Sequence, residues 1–343
     1  TSIMGAGHMS KSTGARWSAP WSEPCKVYPP HRAHRNSGPI CPGAVTRALR
    51  SKLNSQAFVF KASVTAADPL TVCDFLAAKT PLSKIKVKRA IDFGAVWQRP
   101  PRRNAYRVRR ITRRLNPGDE VSLYYDEHIL QQPFVAARCL RRFKRYSIWY
   151  KPAGVLSEGT RYGDRGALLR QAEQHLGPRQ RVHLVHRLDR EADGLVLIAH
   201  DREAAAQLSA LFQKRTVCKR YQVVVGGYLG APKHRGAVTA DIDGKPAVTD
   251  YEVVTYDHDS NTSVVSVEPK TGRYHQIRRH FDHIGHPLMG DPLYGRGNKN
   301  SQGMRLTATA LGFLCPFSRQ QMAFELDRQG ALKVFMTDRP SKP

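Results

Sequence analysis

The most informative segment of the sequence reads His186-Arg187-Leu188-Asp189-Arg190-Glu191-Ala192-Asp193-Gly194, followed by the apolar run Leu195-Val196-Leu197-Ile198-Ala199. The apolar run predicts a buried strand, so Asp189 lies just before a rigid element that can aim its carboxylate. Arg187 and Arg190 flank it, and nearby guanidinium groups favour the ionised form. An ionised carboxylate can act as a nucleophile or a general base. The alternative is a turn with ordinary surface salt bridges.

A second cluster follows a glycine-containing turn and is rich in hydrogen-bond donors. It reads Lys270-Thr271-Gly272-Arg273-Tyr274-His275-Gln276-Ile277-Arg278-Arg279-His280. Such donors suit phosphates and base edges, so Arg273, His275 and Gln276 are predicted to contact nucleic acid. The histidines of this region could instead bind zinc, but no cysteine or second carboxylate completes an obvious ligand set. We therefore predict no metal site.

Two shorter motifs carry weaker signals. Tyr150-Lys151-Pro152-Ala153-Gly154 reads as a strand that enters a turn, and Lys219-Arg220-Tyr221 reads as the start of another strand. Tyr221 is a candidate for stacking on a nucleobase, although a single tyrosine can equally be an ordinary sheet residue.

Charge and composition point to a polyanionic partner. The 343 residues include 55 Lys and Arg against 28 Asp and Glu, a net charge of +27. Nucleic acid is the expected partner, because neutralising phosphates releases counterions. An anionic membrane surface is the rival, but no basic amphipathic helix or long apolar run is evident. The six cysteines form no Cys-x-x-Cys pair, which favours reduced thiols in an intracellular protein.

The chain divides by composition into three parts and a linker. Residues 1–67 are rich in Ser, Pro, Gly and Arg, and we predict a disordered basic arm; a transit peptide or a cloning remnant around Gly7-His8-Met9 are the alternatives. Residues 68–127 predict a small module with two helices and two strands, and residues 128–142 a linker. Residues 143–336 alternate short strands with few helices, which predicts an α+β fold with a mixed, mostly antiparallel sheet and a central cleft.

The small module is dense in positive charge. Between Lys79 and Arg114 the only acid is Asp92. The density predicts RNA contacts, with Lys84, Lys88 and Arg89 as candidates, rather than a merely solvated face.

This module resembles the alpha-L RNA-binding domain, a helix-helix-strand unit found in a ribosomal small-subunit protein and in several RNA-modifying enzymes. The matching residues are Leu82-Ser83-Lys84-Ile85-Lys86-Val87-Lys88-Arg89-Ala90-Ile91, Gly94-Ala95-Val96-Trp97 and Pro117-Gly118-Asp119-Glu120-Val121.

Taken in order, the motifs of residues 143–296 resemble the RluA-type pseudouridine synthase family. The resemblance rests on Lys-Pro-x-Gly, His-Arg-Leu-Asp, Lys-Arg-Tyr, Thr-Gly-Arg-x-His-Gln-x-Arg and a later Gly-His-Pro…Gly-Asp. It implies that Asp189 is the catalytic aspartate, that Tyr221 packs on the target base and that Arg278 pairs with the aspartate. It also implies that Arg187 fills the gap left by a flipped-out nucleotide.

One position departs from the family pattern. Ala192-Asp193-Gly194 stand where the family usually has Thr-Ser-Gly, and Asp193 adds a negative charge close to Asp189 that could alter substrate choice. The implied reaction detaches uracil at N1 and rejoins it through C5, so no cofactor is needed.

The resemblance implies a pseudouridine synthase acting on structured RNA, and we expect a monomer. The alpha-L module and the basic arm favour a large folded RNA, so we expect large-subunit ribosomal RNA rather than tRNA. We expect it in the cytoplasm, or in an organelle if residues 1–67 are a transit peptide, and not on a membrane. The rivals are a non-catalytic RNA-binding or ribosome-assembly factor on the same fold and a glycoside hydrolase with two carboxylates. The hydrolase would need a second acid opposite Asp189, and the net charge of +27 makes a neutral sugar a poor substrate.

Overall fold

The computed structural model describes residues 57–177, 181–327 and 329–337. Most of the predicted basic arm, residues 1–56, lies outside the described residues. Within the described part, two β-sheets organise the chain: a four-stranded sheet near the N-terminus and an eleven-stranded sheet that follows it.

The N-terminal module has two helices against the small sheet. In chain order its elements are β1 (Ala57–Ser63), α1 (Val72–Lys79), α2 (Lys84–Phe93), β2 (Val96–Arg99), β3 (Tyr106–Arg107) and β4 (Glu120–Asp126). The sheet order is β1-β4-β2-β3. Thr71 and Ser83 cap the helix N-termini, and Gly94 ends α2 with a left-handed φ of 80°. The predicted helices and strands of this region are confirmed.

The predicted start of the module at residue 68 is wrong. Ala57–Ser63 forms β1 and pairs antiparallel with the whole of β4, from Ala57 opposite Asp126 to Ser63 opposite Glu120. Phe58 and Phe60 alternate along β1 and pack against the module core. This period of two was overlooked because the strand directly follows the Ser-rich and Pro-rich segment.

The remaining described elements are four helices and the eleven strands of the large sheet. They are α3 (Glu127–Gln131), β5 (Arg138–Arg142), β6 (Tyr146–Lys151), α4 (Leu168–Leu176), β7 (His183–Leu184), β8 (Asp193–Ala199), α5 (Arg202–Gln213), β9 (Cys218–Gly226), β10 (Arg235–Thr239), β11 (Val248–Asp257), β12 (Thr262–Pro269), α6 (Gln276–His283), β13 (Leu306–Leu314), β14 (Gln321–Leu326) and β15 (Leu332–Thr337). The main order is β10-β11-β12-β9-β13-β8-β6-β5, with β7 on β8, and β14 and β15 continuing from β13. Among the described strands only β8 and β13 pair in parallel, so the predicted mixed, mostly antiparallel α+β fold is confirmed.

Two domain limits differ from the sequence prediction. The segment 128–142 is not a plain linker, because it holds most of α3 and all of β5. Strand β5 pairs with β6, so the large sheet begins at Arg138, and β15 carries it to Thr337.

Strand β8 is buried on both faces, which explains its continuous apolar sequence. Val196 and Ile198 face one core, which includes Trp149 and Phe281. Leu195 and Leu197 face the opposite core beneath α5. Because a strand buried on both faces is rigid, the loop that precedes it is held at a fixed position in the sheet.

The N-terminal module rests on a turn of the large domain. The amide of Asp164 donates to the carbonyl of Phe93 at 2.9 Å, and the indole of Trp97 donates to the carbonyl of Arg161 at 3.1 Å. Arg109 donates to Asp164 at 2.7 Å, and Arg107 lies 3.2 Å from the same carboxylate. None of the described helices has the length and apolar character needed to cross a bilayer.

Candidate active site

The loop that carries Asp189 is clamped on both sides of the aspartate. The Ser157 hydroxyl donates to the carbonyl of Leu188 at 2.7 Å and accepts from its amide at 3.1 Å. The Lys151 ammonium is fully buried and donates to the carbonyls of Val155 at 2.8 Å and Ala192 at 2.6 Å. These contacts give the Lys-Pro-x-Gly motif a structural role: it fastens the aspartate loop.

His186 is part of the same support. Its Nε2 accepts a hydrogen bond from the amide of Leu197 at 2.9 Å, and its ring stacks on Phe212 at a centroid distance of 4.5 Å. Burial, with the positive charge of Lys219, lowers the pKa of His186 to about 3, so the imidazole is neutral. The neutral ring anchors the start of the loop to β8.

Gly194 allows two strands to meet behind the loop. Its φ is 113°, and a Cβ atom there would lie 2.3 Å from the carbonyl oxygen of Ala308. This close approach is where β8 and β13 pair in parallel. Asp193, one residue earlier, accepts from the Tyr150 hydroxyl at 2.6 Å. The departure from the family pattern therefore places a carboxylate against β6.

Arg278 connects the aspartate loop to α6. Its side chain is 1% exposed, and its Nη1 donates to Asp189 at 3.1 Å. The other edge of the guanidinium donates to Asp291 in a bidentate pair, with Nε at 2.6 Å and Nη2 at 2.8 Å. Asp291 is completely buried and also accepts from the amides of Leu293 and Tyr294. The predicted pairing of Arg278 with Asp189 is present in the structure.

His275 lies between these charged groups. Its Nε2 is 3.6 Å from Asp189 and 3.2 Å from Nη1 of Arg278, and its Nδ1 is 3.1 Å from the Tyr294 hydroxyl. Since a guanidinium can only donate, we infer that Nε2 accepts and that Nδ1 carries the hydrogen. Burial lowers the pKa of His275 despite the opposing effect of Asp189, which keeps the imidazole neutral. His275, which was predicted to contact RNA, lies beside Asp189 and lines the same cavity.

Arg278 and Asp291 each stabilise the charged form of the other. Burial alone would lower the pKa of Arg278, but its hydrogen bonds to Asp291 and Asp189 raise it overall. Burial would likewise raise the pKa of Asp291, and Arg278 with the two backbone amides lowers it instead. The guanidinium is thus a permanent cation whose free edge faces Asp189.

Asp189 and Tyr221 share one cavity of about 610 Å³. Arg187, Arg215 and Tyr274 also line it. Burial and the negative charge of Asp189 raise the pKa of Tyr221 to about 12, so the phenol keeps its proton. A planar neutral ring beside a carboxylate is suited to hold a nucleobase. Among the described residues Arg187 has no hydrogen-bond or ion-pair partner, and its side chain is exposed.

Gln276, a predicted RNA contact, is held by hydrogen bonds inside the protein. Gln276 is 4% exposed, and its amide is satisfied inside the protein. It accepts from Thr271 at 2.6 Å and donates to Thr249 and to the carbonyl of Val248, both at 2.9 Å. Because its amide is engaged with these partners, Gln276 holds the turn that precedes α6 at the wall of the cavity that contains Asp189. Arg273 lines the cavity while donating to the carbonyl of Pro246.

The predicted RNA contacts of the N-terminal module lie on its surface. Lys84 and Lys88 are exposed on α2, and Lys84 pairs with Asp74 at 2.7 Å. Arg89 donates to the carbonyl of Leu130 at 2.7 Å, which directs part of its guanidinium inward. Several cations of the region 79–114 pair with acids from outside it, namely Asp68, Asp74, Glu120, Glu127 and Asp164. The free positive charge is therefore smaller than the local sequence indicates.

Two of the histidines considered for zinc, His280 and His286, contact backbone carbonyls. The Nε2 of His280 contacts the carbonyl of Ala240 at 3.0 Å, and Nδ1 of His286 contacts that of Gly226 at 2.8 Å. In the part of the chain that the structure describes, no group of three or more His, Cys, Asp or Glu side chains is arranged to hold a metal ion.

Sequence reasoning missed the roles of Asp291, Lys151 and Ser157. Asp291 belongs to a motif used for the family resemblance, but nothing local shows that its partner is Arg278, thirteen residues earlier. A signal was present in the apolar neighbours Leu288, Met289 and Leu293, because an acid that is buried among apolar residues is almost always paired.

Comparison with known proteins places this site in a defined class. The family model described as RNA pseudouridylate synthase matches residues 145–283, the part that holds Asp189, Tyr221 and Arg278. The uncharacterized RNA pseudouridine synthase YjbO of Bacillus subtilis is 35% identical over 217 residues, which cover 59% of this chain and 70% of that protein. The chain belongs to the RNA pseudouridine synthases, a family of isomerases.

A further relative is named for the large ribosomal subunit. The ribosomal large subunit pseudouridine synthase D of Zymomonas mobilis is 34% identical over 174 residues, which cover 44% of this chain and 54% of that protein. The resemblance to pseudouridine synthases that the motifs predicted is therefore confirmed. A solved human structure, RNA pseudouridylate synthase domain containing 1, aligns with 62% of this chain and 86% of its own at 20% identity and a TM-score of 0.46.

Proposed function

We propose that this chain converts uridine to pseudouridine in large-subunit ribosomal RNA and that Asp189 is its catalytic carboxylate. The observation that carries the proposal is the buried Arg278. Asp291 fixes one edge of the guanidinium, and the other edge lies 3.1 Å from Asp189 at a basic cavity. A carboxylate held in this way is ready to act on a target nucleotide without a metal or cofactor.

The other residues of the cavity have matching roles. The bond from ribose C1′ to N1 breaks and a bond from C1′ to C5 forms, while C5 loses a hydrogen and N1 gains one. Tyr221 packs on the detached base and helps to exclude water, which would otherwise intercept it. Arg187, exposed at the cavity, enters the stack when the uridine leaves it, a movement that costs a few kcal/mol.

The proposed RNA substrate rests on relatives and charge. Synthases named for the ribosomal large subunit from Zymomonas mobilis and Pseudomonas aeruginosa are 34% and 35% identical to this chain. The N-terminal module acts as an alpha-L domain, with Lys84 and Lys88 exposed on α2 to reach phosphates. A large folded RNA can contact both the module and the cavity.

Pseudouridine mapping tests the proposal. Ribosomal RNA and tRNA from cells that lack the gene are compared after complementation with the wild type or Asp189→Asn. One or a few large-subunit sites should disappear and return only with the wild type. If the missing sites lie in tRNA, the substrate is wrong. If no site changes but ribosome assembly depends on the protein, the enzymatic role is wrong and a binding factor replaces it.

A further inference from the structure

The helix α5 ends next to the cavity in an unusual way. Its last turn closes with hydrogen bonds from the amide of Arg215 to the carbonyl of Phe212 at 3.1 Å and from Thr216 to Leu211 at 3.0 Å. This pattern is a Schellman motif, in which the residue at the position of Arg215 adopts a left-handed conformation and is usually glycine. Arg215 has a φ of 57° there. A side chain at this position strains the backbone, so a glycine would fit better.

The strained residue is also a cation without an anion. Arg215 is half-buried and lines the cavity that holds Asp189 and Tyr221. Among the residues that the structure describes, its guanidinium has neither an ion pair nor a hydrogen bond, unlike Arg278 in the same cavity. A half-buried guanidinium loses part of its hydration and gains from an anionic partner.

We propose that Arg215 binds a backbone phosphate of the RNA next to the target uridine and thereby positions the nucleotide over Asp189. The inference rests on the proposed function, since it needs a polyanion in this cavity. A guanidinium matches a phosphate because two of its N–H groups can donate to two phosphate oxygens. The left-handed backbone turns Arg215 away from the path of α5. The strained backbone conformation thus occurs at a residue whose side chain lines the cavity.

The test uses a substitution that removes the cation and relieves the backbone. Arg215→Gly should leave the midpoint of thermal unfolding equal to or above that of the wild type, since glycine suits the left-handed position. Binding of a large-subunit ribosomal RNA transcript should weaken about tenfold, and the slope of log affinity against log salt should become shallower by about 1, as expected for one lost phosphate contact. KM should rise in proportion, while kcat changes less. Arg215→Lys should recover part of the affinity.

Arg319→Gly provides a matched control. Arg319 also has a left-handed backbone, with a φ of 58°, and is exposed in the turn between β13 and β14, away from the cavity lining. Its replacement makes the same change in charge and backbone freedom and should leave RNA affinity and the salt slope unchanged. Equal losses in both variants, or an unchanged salt slope in Arg215→Gly, would overturn the proposal.

The experiment distinguishes failure of the Arg215 phosphate contact from failure of the proposed function. Binding is measured on the unmodified transcript and does not require turnover. If the wild type forms no pseudouridine yet Arg215→Gly alone weakens binding, the phosphate contact stands and the proposed reaction fails. If the wild type is active and Arg215→Gly binds and reacts like it, the contact fails and the proposed reaction stands.

Discussion

The strongest structural prediction concerns Asp291, which does not itself touch the cavity. In the wild type, Nε and Nη2 of Arg278 donate to the Asp291 carboxylate at 2.6 and 2.8 Å. Asp291→Asn preserves the shape of the side chain but places an amide against these two donors. One of these donors would then face another donor. Breaking a buried ion pair from one side costs about 3–5 kcal/mol. Because Asp189 still contacts Arg278 at 3.1 Å, we take the lower end, about 3 kcal/mol.

Thermal and chemical unfolding measure this loss. A change of about 3 kcal/mol lowers the unfolding midpoint of a domain of this size by roughly 6–12 °C. kcat should also fall, because Arg278 is no longer held with its free edge towards Asp189. The matched control is Asp243→Asn, since Asp243 pairs at 3.0 Å with Arg279, the next residue of α6, but is 67% exposed. An exposed pair of this kind contributes about 0–1 kcal/mol. Equal destabilisation of the two variants would refute the reasoning.

The pair of Arg278 and Asp291 also predicts how the free energy of unfolding depends on pH. The pKa of Asp291 in the folded protein lies below its ordinary value of 3.8, chiefly because Arg278 and two backbone amides outweigh the effect of burial. The ionised form is thus favoured by folding, so its contribution is complete above the unfolded pKa and is lost as the pH falls through the folded pKa. Below about pH 4 the wild type should therefore lose more free energy of unfolding than Asp291→Asn. Parallel pH curves for the two proteins would contradict this.

Two further predictions follow from the buried contacts. Gln276→Ala should lower stability by about 3 kcal/mol, because it leaves buried groups without partners, yet the folded variant should bind RNA as tightly as the wild type. A loss of RNA affinity in the folded variant would support its predicted RNA contact. Asp164→Asn should speed hydrogen exchange in residues 93–97, where the N-terminal module rests on the large domain. Asp92→Asn, which breaks a more exposed pair at the same interface, should do so less; equal effects would show that Asp164 does not fix the module.

The sequence predicted local features well because they depend on neighbouring residues. The apolar run of β8 and the two helices of the small module are all read from short segments. Tertiary partners are not readable in this way. The acids that neutralise the basic region 79–114 come from outside it, so its charge density was overestimated. Strand β1 was missed for a related reason, because its pairing with β4 spans more than fifty residues.

In the candidate site, too, the type of a residue is readable from the sequence but its partners in the folded protein are not. Gln276 and Lys151 are polar side chains of kinds that bind RNA, but both are buried and fully engaged with carbonyl or hydroxyl groups of the protein. Their hydrogen bonds within the protein shape the site. Arg187 and Arg215 have no partner among the described residues and line the cavity. Residue type alone does not separate these two groups; the presence of an internal partner does. In this protein the cations that the fold leaves unpaired at the cavity are therefore those that we expect the RNA to neutralise.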